Sequence, residues 1–198
     1  MQFFTIQECE HSWGDYGNTL LQGQATRDEV TGLLQIQRTG PFVPPISFPG
    51  LREIVVTEDF RAQLEASGLT GFSFRPVVKQ HIVDLDWQKW DKNADDPKVY
   101  PRSGEPEDYI LERKHSPKTA SKMPVLWELA VGQSAHVLRE KDKTAPTGVV
   151  LYFQSETWKG DNLVRVPEVL YTFADLKAKE WLDGTVAEYV RFQVVGVR

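Results

Sequence analysis

Short hydrophobic runs separated by polar turns dominate this chain, and apolar and polar residues often alternate inside the runs. This spacing is typical of β-strands. The breaks between runs are rich in glycine and proline, and from Gly40 to Pro45 three prolines fix φ and remove amide donors. The segment from Trp13 to Asn18 holds two glycines and is predicted to be a loop. Predicted strands cover residues 1–6, 32–37, 125–137 and 148–153, with turns at 139–143 and 160–161.

At two places a strand is followed by helical spacing and then by another strand. The first unit begins with the strand 52–56, after which Thr57 is a good N-cap for a short helix. Leu64 marks the apolar face of that helix, and Gly68 is a credible residue just beyond its end. Apolar positions then alternate from residue 72 to 77. The pattern therefore predicts strand, helix, strand.

The second unit has the same order. A strand at 169–173 precedes the N-cap Asp175, a helix follows, and a strand covers 189–197. The two units superpose without gaps at an offset of 118 residues. The matched positions are Thr57 with Asp175, Leu64 with Leu182, Phe74 with Phe192 and Val77 with Val195. Duplication and chance agreement of two similar patterns are both open interpretations of this match.

These elements predict an α+β fold of mostly antiparallel sheet with a few short helices. A chain of 198 residues suits one domain, 1–198, and can bury about 70 % of its unfolded surface. Within that domain, lobes at 1–80 and 121–198 would be joined by an acidic insertion at 84–120.

The charge balance limits the partners. With 23 basic and 28 acidic residues the net charge is −5, which argues against a nucleic-acid binder and suits a basic partner. Cys9 is the only cysteine, so no internal disulfide can form and a reducing compartment is expected. The amino end lacks the features of a secretory signal, and the longest apolar runs are far shorter than a membrane span. We expect a cytoplasmic protein that does not bind membranes; its oligomeric state stays open.

The insertion carries the strongest binding signal. Between Asp84 and Asp108 there are eight acids and four bases, interrupted by two tryptophans. Tryptophan next to desolvatable charge is typical of interface hot spots. In the alternative interpretation, both indoles fold back beneath a long loop and fill the core. The predicted partner-binding residues are Asp84, Asp86, Trp87, Trp90, Asp91, Asp95 and Asp96.

Catalytic signals are weaker. Phosphate loops, dinucleotide fingerprints, nucleophile elbows and paired metal-ligand spacings are all absent. Asp84 and Asp86 would share one side of a strand and could seat Mg²⁺ or Mn²⁺, with His81 on the other side, unless the strand simply ends in a charged loop. Cys9 and His11 could form a nucleophile pair, or Cys9 could be structural. We therefore predict no catalytic residue, no metal ligand and no cofactor.

Two segments resemble a known family. Residues 54–77, with Thr57-Glu58-Asp59-Phe60 and Leu69-Thr70-Gly71-Phe72, resemble a pattern in bacterial immunity proteins encoded beside Rhs and other contact-delivered polymorphic toxins. Residues 155–165, followed by Trp181-Leu182 and the strand around Phe192, are similar to the closing segment of related proteins. The chain departs from the family where Asn162-Leu163-Val164 replaces a turn that usually carries an aromatic residue.

The resemblance implies a cytosolic protein that needs no cofactor and binds a cognate toxin domain tightly. Many such toxins attack nucleic acids or nucleotides and present basic clefts, which an acidic plug would fit. We therefore expect an immunity protein that occludes a toxin's active-site cleft. The alternatives are a metal-dependent hydrolase using Asp84 and Asp86, and a general adaptor or ligand-binding module.

Overall fold

The computed structural model describes residues 1–143 and 148–198, which form two compact units. The terminal unit contains residues 1–9, 62–73 and 130–198, and the central unit contains residues 10–61 and 74–129. Each unit is built on a curled six-stranded mixed sheet. The predicted α+β class is confirmed, because short helices accompany sheets in which most strand pairs are antiparallel.

The described strands are β1 (Phe3–Glu8), β2 (Gln24–Arg27), β3 (Leu34–Gly40), β4 (Ile46–Ser47), β5 (Val55–Thr57), β6 (Phe72–Asp84), β7 (Leu126–Val131), β8 (Val137–Lys141), β9 (Val149–Phe153), β10 (Leu163–Arg165), β11 (Thr172–Asp175) and β12 (Val190–Val197). The α-helices are α1 (Asp15–Gln22), α2 (Glu58–Ala66), α3 (Asp108–Leu111), α4 (Pro117–Lys122) and α5 (Leu176–Val186). Single 3₁₀ turns lie at Trp87–Lys89 and Ser155–Thr157.

The terminal sheet has the order β10-β11-β1-β12-β9-β8, and among its described strand pairs only β12–β9 is parallel. Its core is aromatic. The Phe3 ring stacks on Phe153 with centroids 3.7 Å apart and meets Trp158 edge-on at 5.2 Å. Phe173 on β11 also packs against Phe153, with ring centroids 5.7 Å apart. The first strand of the chain therefore supplies the centre of a sheet whose other strands lie after residue 136.

The central sheet has the order β2-β3-β6-β7-β5-β4, with β3 and β6 parallel. Its buried core includes Leu34 and Ile36 from β3, Val55 from β5, Ile82 from β6 and Leu126 from β7. These positions follow the two-residue period of strands, which places every second side chain on the buried face. The sheet therefore has a conventional aliphatic core.

Both sheets have the same strand order when the central one is written as β4-β5-β7-β6-β3-β2. In each, the two outer pairs and the second pair are antiparallel, and the fourth pair is parallel. The third strand of each sheet comes from the other half of the chain: β1 joins β8–β12, and β7 joins β2–β6. This is the arrangement expected of an internal duplication in which the first strands are exchanged, and it favours duplication over chance agreement.

The matched helices begin as predicted. The Thr57 hydroxyl accepts a hydrogen bond from the Phe60 amide (3.4 Å), and Asp175 accepts one from the Ala178 amide (2.8 Å). Leu64 on α2 and Leu182 on α5 are both buried. Both N-cap predictions are confirmed, since each side chain satisfies an amide that the helix leaves free.

Other local predictions were wrong. The predicted loop 13–18 is a turn only at Trp13 and Gly14, because α1 begins at Asp15. Position 17 of this helix requires glycine, because a Cβ there would come within 1.8 Å of the Ser12 carbonyl oxygen. The strand predicted at 125–137 ends at Val131 as β7, and β8 begins only at Val137, so residues 139–141 belong to β8 rather than to a turn. The short strands β2, β4 and β10 were not predicted.

Candidate functional site

The acidic segment, residues 84–108, leaves the central sheet at the end of β6. The Leu85 amide donates to the Gly40 carbonyl (3.2 Å), and a 3₁₀ turn begins at Trp87. Because β6 ends at Asp84, Asp86 lies outside the strand and pairs with Lys89 at 2.6 Å. The strand geometry that placed Asp84 and Asp86 on one side of a strand was therefore wrong.

Trp87 is an anchor beneath this segment. Its side chain is only 3 % exposed and packs edge-on against His11, Trp13 and Phe42, with ring centroids 5.9, 6.3 and 6.4 Å away. Trp90 is half-buried, 5.7 Å from Trp13. The fold-back interpretation therefore holds for Trp87, whereas Trp90 keeps part of its surface open.

Trp13 connects the two predicted tryptophans. Its ring contacts both of them, and its indole N–H donates to the Ala94 carbonyl (3.1 Å). Its φ of 70° lies in the left-handed region, which non-glycine residues adopt only where surrounding contacts hold them. Sequence reasoning missed Trp13 because its partners Trp87, Trp90 and Ala94 are far away along the chain.

Tyrosines hold the second part of the segment. The Tyr16 hydroxyl donates to the Gly104 carbonyl, and its ring meets Tyr100 and Tyr109 edge-on at 5.4 and 6.2 Å. A hydrogen bond with Asp96 raises the pKa of Tyr100 to about 12, and burial raises the pKa of Tyr109 to about 12. Both hydroxyls therefore stay protonated at neutral pH.

The chain just after the acidic segment is tied back to β6. His81 Nε2 lies 3.0 and 2.9 Å from the carbonyl oxygens of Ile110 and Arg113, so this nitrogen carries the proton. The Ile82 amide donates to His115 Nδ1 (2.9 Å). His81 therefore fastens the carboxyl end of α3 to β6 through two backbone carbonyl groups.

The aspartates of the acidic segment are on the surface. Asp84, Asp86, Asp91, Asp95 and Asp96 are all exposed. Four bases accompany the eight acids of the segment, and one of them, Lys89, is already paired with Asp86. Of the seven predicted binding residues, the structure therefore leaves the five aspartates on the surface, Trp90 partly accessible and Trp87 buried.

Cys9 and His11, the other chemical candidates, both have shifted pKa values. Burial raises the pKa of the Cys9 thiol more than Arg191 lowers it, which is the opposite of what an activated nucleophile needs. Burial and Lys92 lower the pKa of His11, whose ring packs on Trp87. Within residues 1–143 and 148–198, no three histidine, cysteine or acidic side chains are grouped to hold a metal ion.

A buried carboxylate in the central sheet has a structural role. Glu128 on β7 is 2 % exposed and lies 2.8 Å from Arg27 and 2.7 Å from Arg75. Burial raises its pKa, but the hydrogen bonds and charges of the two arginines lower it further, so the net shift is downward. Both guanidinium groups are partly exposed and face a carboxylate, which indicates an ion cluster that ties β2, β6 and β7 together.

The terminal unit holds a cavity of about 430 Å³ that the sequence did not reveal. Its lining residues are Gln133, Ser134, Ala135, His136, Thr157, Lys159 and Pro167. His136 Nδ1 lies 2.6 Å from Glu168, and the Ser134 hydroxyl lies 3.2 Å from Asp161. These residues come from separate parts of the chain, so no sequence spacing could have indicated the cavity.

Neither a family model nor a curated protein matches this chain. Across the described parts of the chain, the helices are all too short or too polar to cross a membrane.

Proposed function

We propose that this protein is an immunity protein that binds and neutralises a cognate bacterial toxin domain in the cytoplasm. The observation that supports the proposal most is the acidic segment, which displays exposed aspartates on a base of packed tryptophans and tyrosines. A surface held in one conformation before binding loses less entropy in the complex than a loose loop does. This construction favours a docking surface.

The charge of the segment selects the partner's chemistry. Exposed carboxylates accelerate association with a cationic surface through long-range attraction. Toxin domains that act on nucleic acids need cationic clefts, and the chain's resemblance to immunity proteins indicates the same class of partner. Asp84, Asp91 and Asp95 would enter such a cleft, with Trp90 at the edge and Trp87 supporting the segment from below.

The metal-hydrolase alternative receives no support from the geometry. Asp84 and Asp86 do not share a strand face, and Asp86 is paired with Lys89. A general adaptor remains the competing binding function, and it predicts a partner unrelated to any toxin.

The test uses the toxin domain encoded by the adjacent gene. Co-expression should restore growth and yield a stable complex of fixed stoichiometry. The double variant Asp84→Lys/Asp95→Lys should slow association about tenfold or more and remove most of its salt dependence. Stopped-flow association and growth rescue measure both effects.

The matched control is Glu156→Lys/Glu180→Lys, which makes the same charge change at exposed positions of the terminal unit. Association rates that fall equally in both double variants would show that net charge, not the segment, matters. Absence of both a complex and growth rescue with the unmodified protein would refute the immunity function.

A further inference from the structure

In each sheet, one edge strand is hydrogen-bonded to the segment beside the opposite edge strand, and we call this contact the seam. In the central sheet, the Ala25 amide donates to the Pro49 carbonyl (2.9 Å). In the terminal sheet, the Arg165 amide donates to the Gly132 carbonyl (2.8 Å), and the Ser134 amide donates to Arg165 (3.3 Å). A Gly-Gln pair lies at each seam, Gly23-Gln24 in one and Gly132-Gln133 in the other. The seams are therefore equivalent places in a repeated architecture.

The central seam is filled with protein. Gln22 is buried there, and its side-chain oxygen accepts a hydrogen bond from the Phe48 amide (2.7 Å). Pro49 is buried as well, and a Cβ at Gly23 would come within 2.6 Å of the Arg38 Cβ. This seam is closely packed and leaves its polar groups inside the fold.

The terminal seam is open. The cavity of about 430 Å³ lies along it, and Gln133, His136 and Lys159 line the cavity with exposed side chains. A volume of this size falls within the range of small-molecule sites, which is about 300–1,000 Å³. The same architectural position is thus packed in one unit and accessible in the other.

The polar groups of the cavity are fixed but incompletely used. His136 Nδ1–H donates to Glu168 (2.6 Å), and the His136 amide donates to the Thr157 hydroxyl (2.9 Å), so Nε2 is left as an acceptor for a ligand. Within the described residues, the side chains of Gln133 and Lys159 have no hydrogen-bond or ion-pair partner. An ammonium group, an amide and an imidazole nitrogen therefore line one cavity with bonding capacity to spare.

The nearby carboxylates do not line the cavity. Asp161 accepts a hydrogen bond from Ser134, and Glu168 is bonded to His136 and to the Val137 amide. The described residues offer no group of three metal-ligating side chains, which argues against a cation as the ligand. An unpaired lysine beside the unpaired amide of Gln133 suits a carboxylate or phosphate group instead.

We infer that the terminal seam is a binding site for a small organic anion, whose carboxylate or phosphate group is held by Lys159 and Gln133 and which offers a hydroxyl or other hydrogen-bond donor to His136 Nε2. The site is separate from the acidic segment, and the inference does not depend on the proposed toxin partner. It rests on the contrast between two equivalent seams. Of these, the terminal one is open, its nearby acids are already hydrogen-bonded, and its Lys159 and Gln133 side chains are free of partners among the described residues.

The test titrates the full-length protein with inorganic phosphate and, separately, with acetate, at constant ionic strength set with chloride. Two-dimensional ¹H–¹⁵N NMR follows the amides of residues 133–136 and the indole N–H of Trp158, which donates to the Asp161 carbonyl. Saturable shifts at these signals are expected with phosphate, acetate or both. The anion that binds identifies the ligand group.

Lys159→Gln should weaken binding about tenfold, the usual loss for a hydrogen bond to a charged group. His136→Gln is a second variant. Lys159 and His136 are both exposed, so neither change should unfold the chain. The control Lys118→Gln removes the same charge from an exposed position in the central unit and should leave affinity unchanged. Equal weakening by Lys159→Gln and Lys118→Gln, shifts that chloride alone reproduces, or tighter binding of Zn²⁺ than of either anion would overturn the inference.

Discussion

The two units share one sheet architecture and differ in what has been added to it. In the central unit, the connection between β6 and β7 carries the acidic segment and two short helices. In the terminal unit, the difference is that the seam, which both sheets have, is open and a cavity lies along it. Strand order, pairing direction and helix position are what the fold requires, so the places where the two units differ are the natural candidates for function.

The strand registers of β1 with β11 and of β7 with β5 show which residues of the two sheets are equivalent. Phe3 pairs with Asp175, and Leu126 pairs with Thr57, so these two buried residues occupy equivalent places in the exchanged strands. Two residues further along, Glu128 corresponds to Thr5. The central unit thus holds a buried ion cluster where the terminal unit has a small polar side chain.

The strongest test of this comparison removes the equivalent core residues in turn. Phe3→Ala should cost about 3–5 kcal/mol and Leu126→Ala about 2–5 kcal/mol in the free energy of unfolding. Because β1 lies in the terminal sheet and β7 in the central one, each loss should appear in the sheet formed by the other half of the chain. Hydrogen exchange should accelerate in β9 and β12 for Phe3→Ala, and in β3 and β5 for Leu126→Ala.

Exchange that accelerated in β2–β5 for Phe3→Ala would contradict the strand exchange. Val194→Ala is the control, because Val194 is 67 % exposed and its truncation should leave protection unchanged.

A smaller effect is expected from the ion cluster. Glu128→Gln should lower the free energy of unfolding by about 2 kcal/mol at neutral pH, because two charge-assisted hydrogen bonds are weakened. The folded pKa of Glu128 lies below its unfolded value of about 4.3, so its contribution is complete above that pH and is lost as pH falls through the folded pKa. Urea unfolding as a function of pH should show the two proteins converging in acid.

Glu53→Gln serves as the comparison, since Glu53 is 4.0 Å from Arg27 and more exposed than Glu128. It should cost less than about 1 kcal/mol. A difference between Glu128→Gln and the unmodified protein that stayed constant down to low pH would exclude the ionised cluster.

The smallest difference is expected at the helix caps. Asp175→Ala and Thr57→Ala should each cost about 1 kcal/mol. The Asp175 change should be the larger, because its hydrogen bond is shorter and its other oxygen accepts a hydrogen bond from Asn162 (2.8 Å). Thermal unfolding of both variants measures the ranking, and a larger loss for Thr57→Ala would show that cap geometry does not set it.

Local chemistry made the strand–helix–strand units predictable. Thr57 and Asp175 satisfy helix amides wherever the rest of the chain lies, so they could be identified from sequence. Strand partners could not, because the two-residue period shows which face is buried and not which strand is adjacent. The placement of β1 beside β11 and β12 is a long-range pairing of that kind.

The candidate site was predictable only in part. The charge of the acidic segment could be read directly from its aspartates. The burial of Trp87 depends on Trp13, Phe42 and His11, which are distant in sequence, so composition alone could not distinguish an anchor from a hot spot. The open seam depends on which side chains fill it, and that contrast becomes visible only when the two units are compared.

The place of β1 has a consequence for the order of synthesis. Phe3, Phe4 and Ile6 are translated long before their strand neighbours at residues 172–175 and 190–195. During that interval an apolar β-forming stretch has no native partner, which makes it a substrate for chaperones and a risk for aggregation. Folding of the terminal sheet should therefore follow translation of residue 195 rather than accompany it.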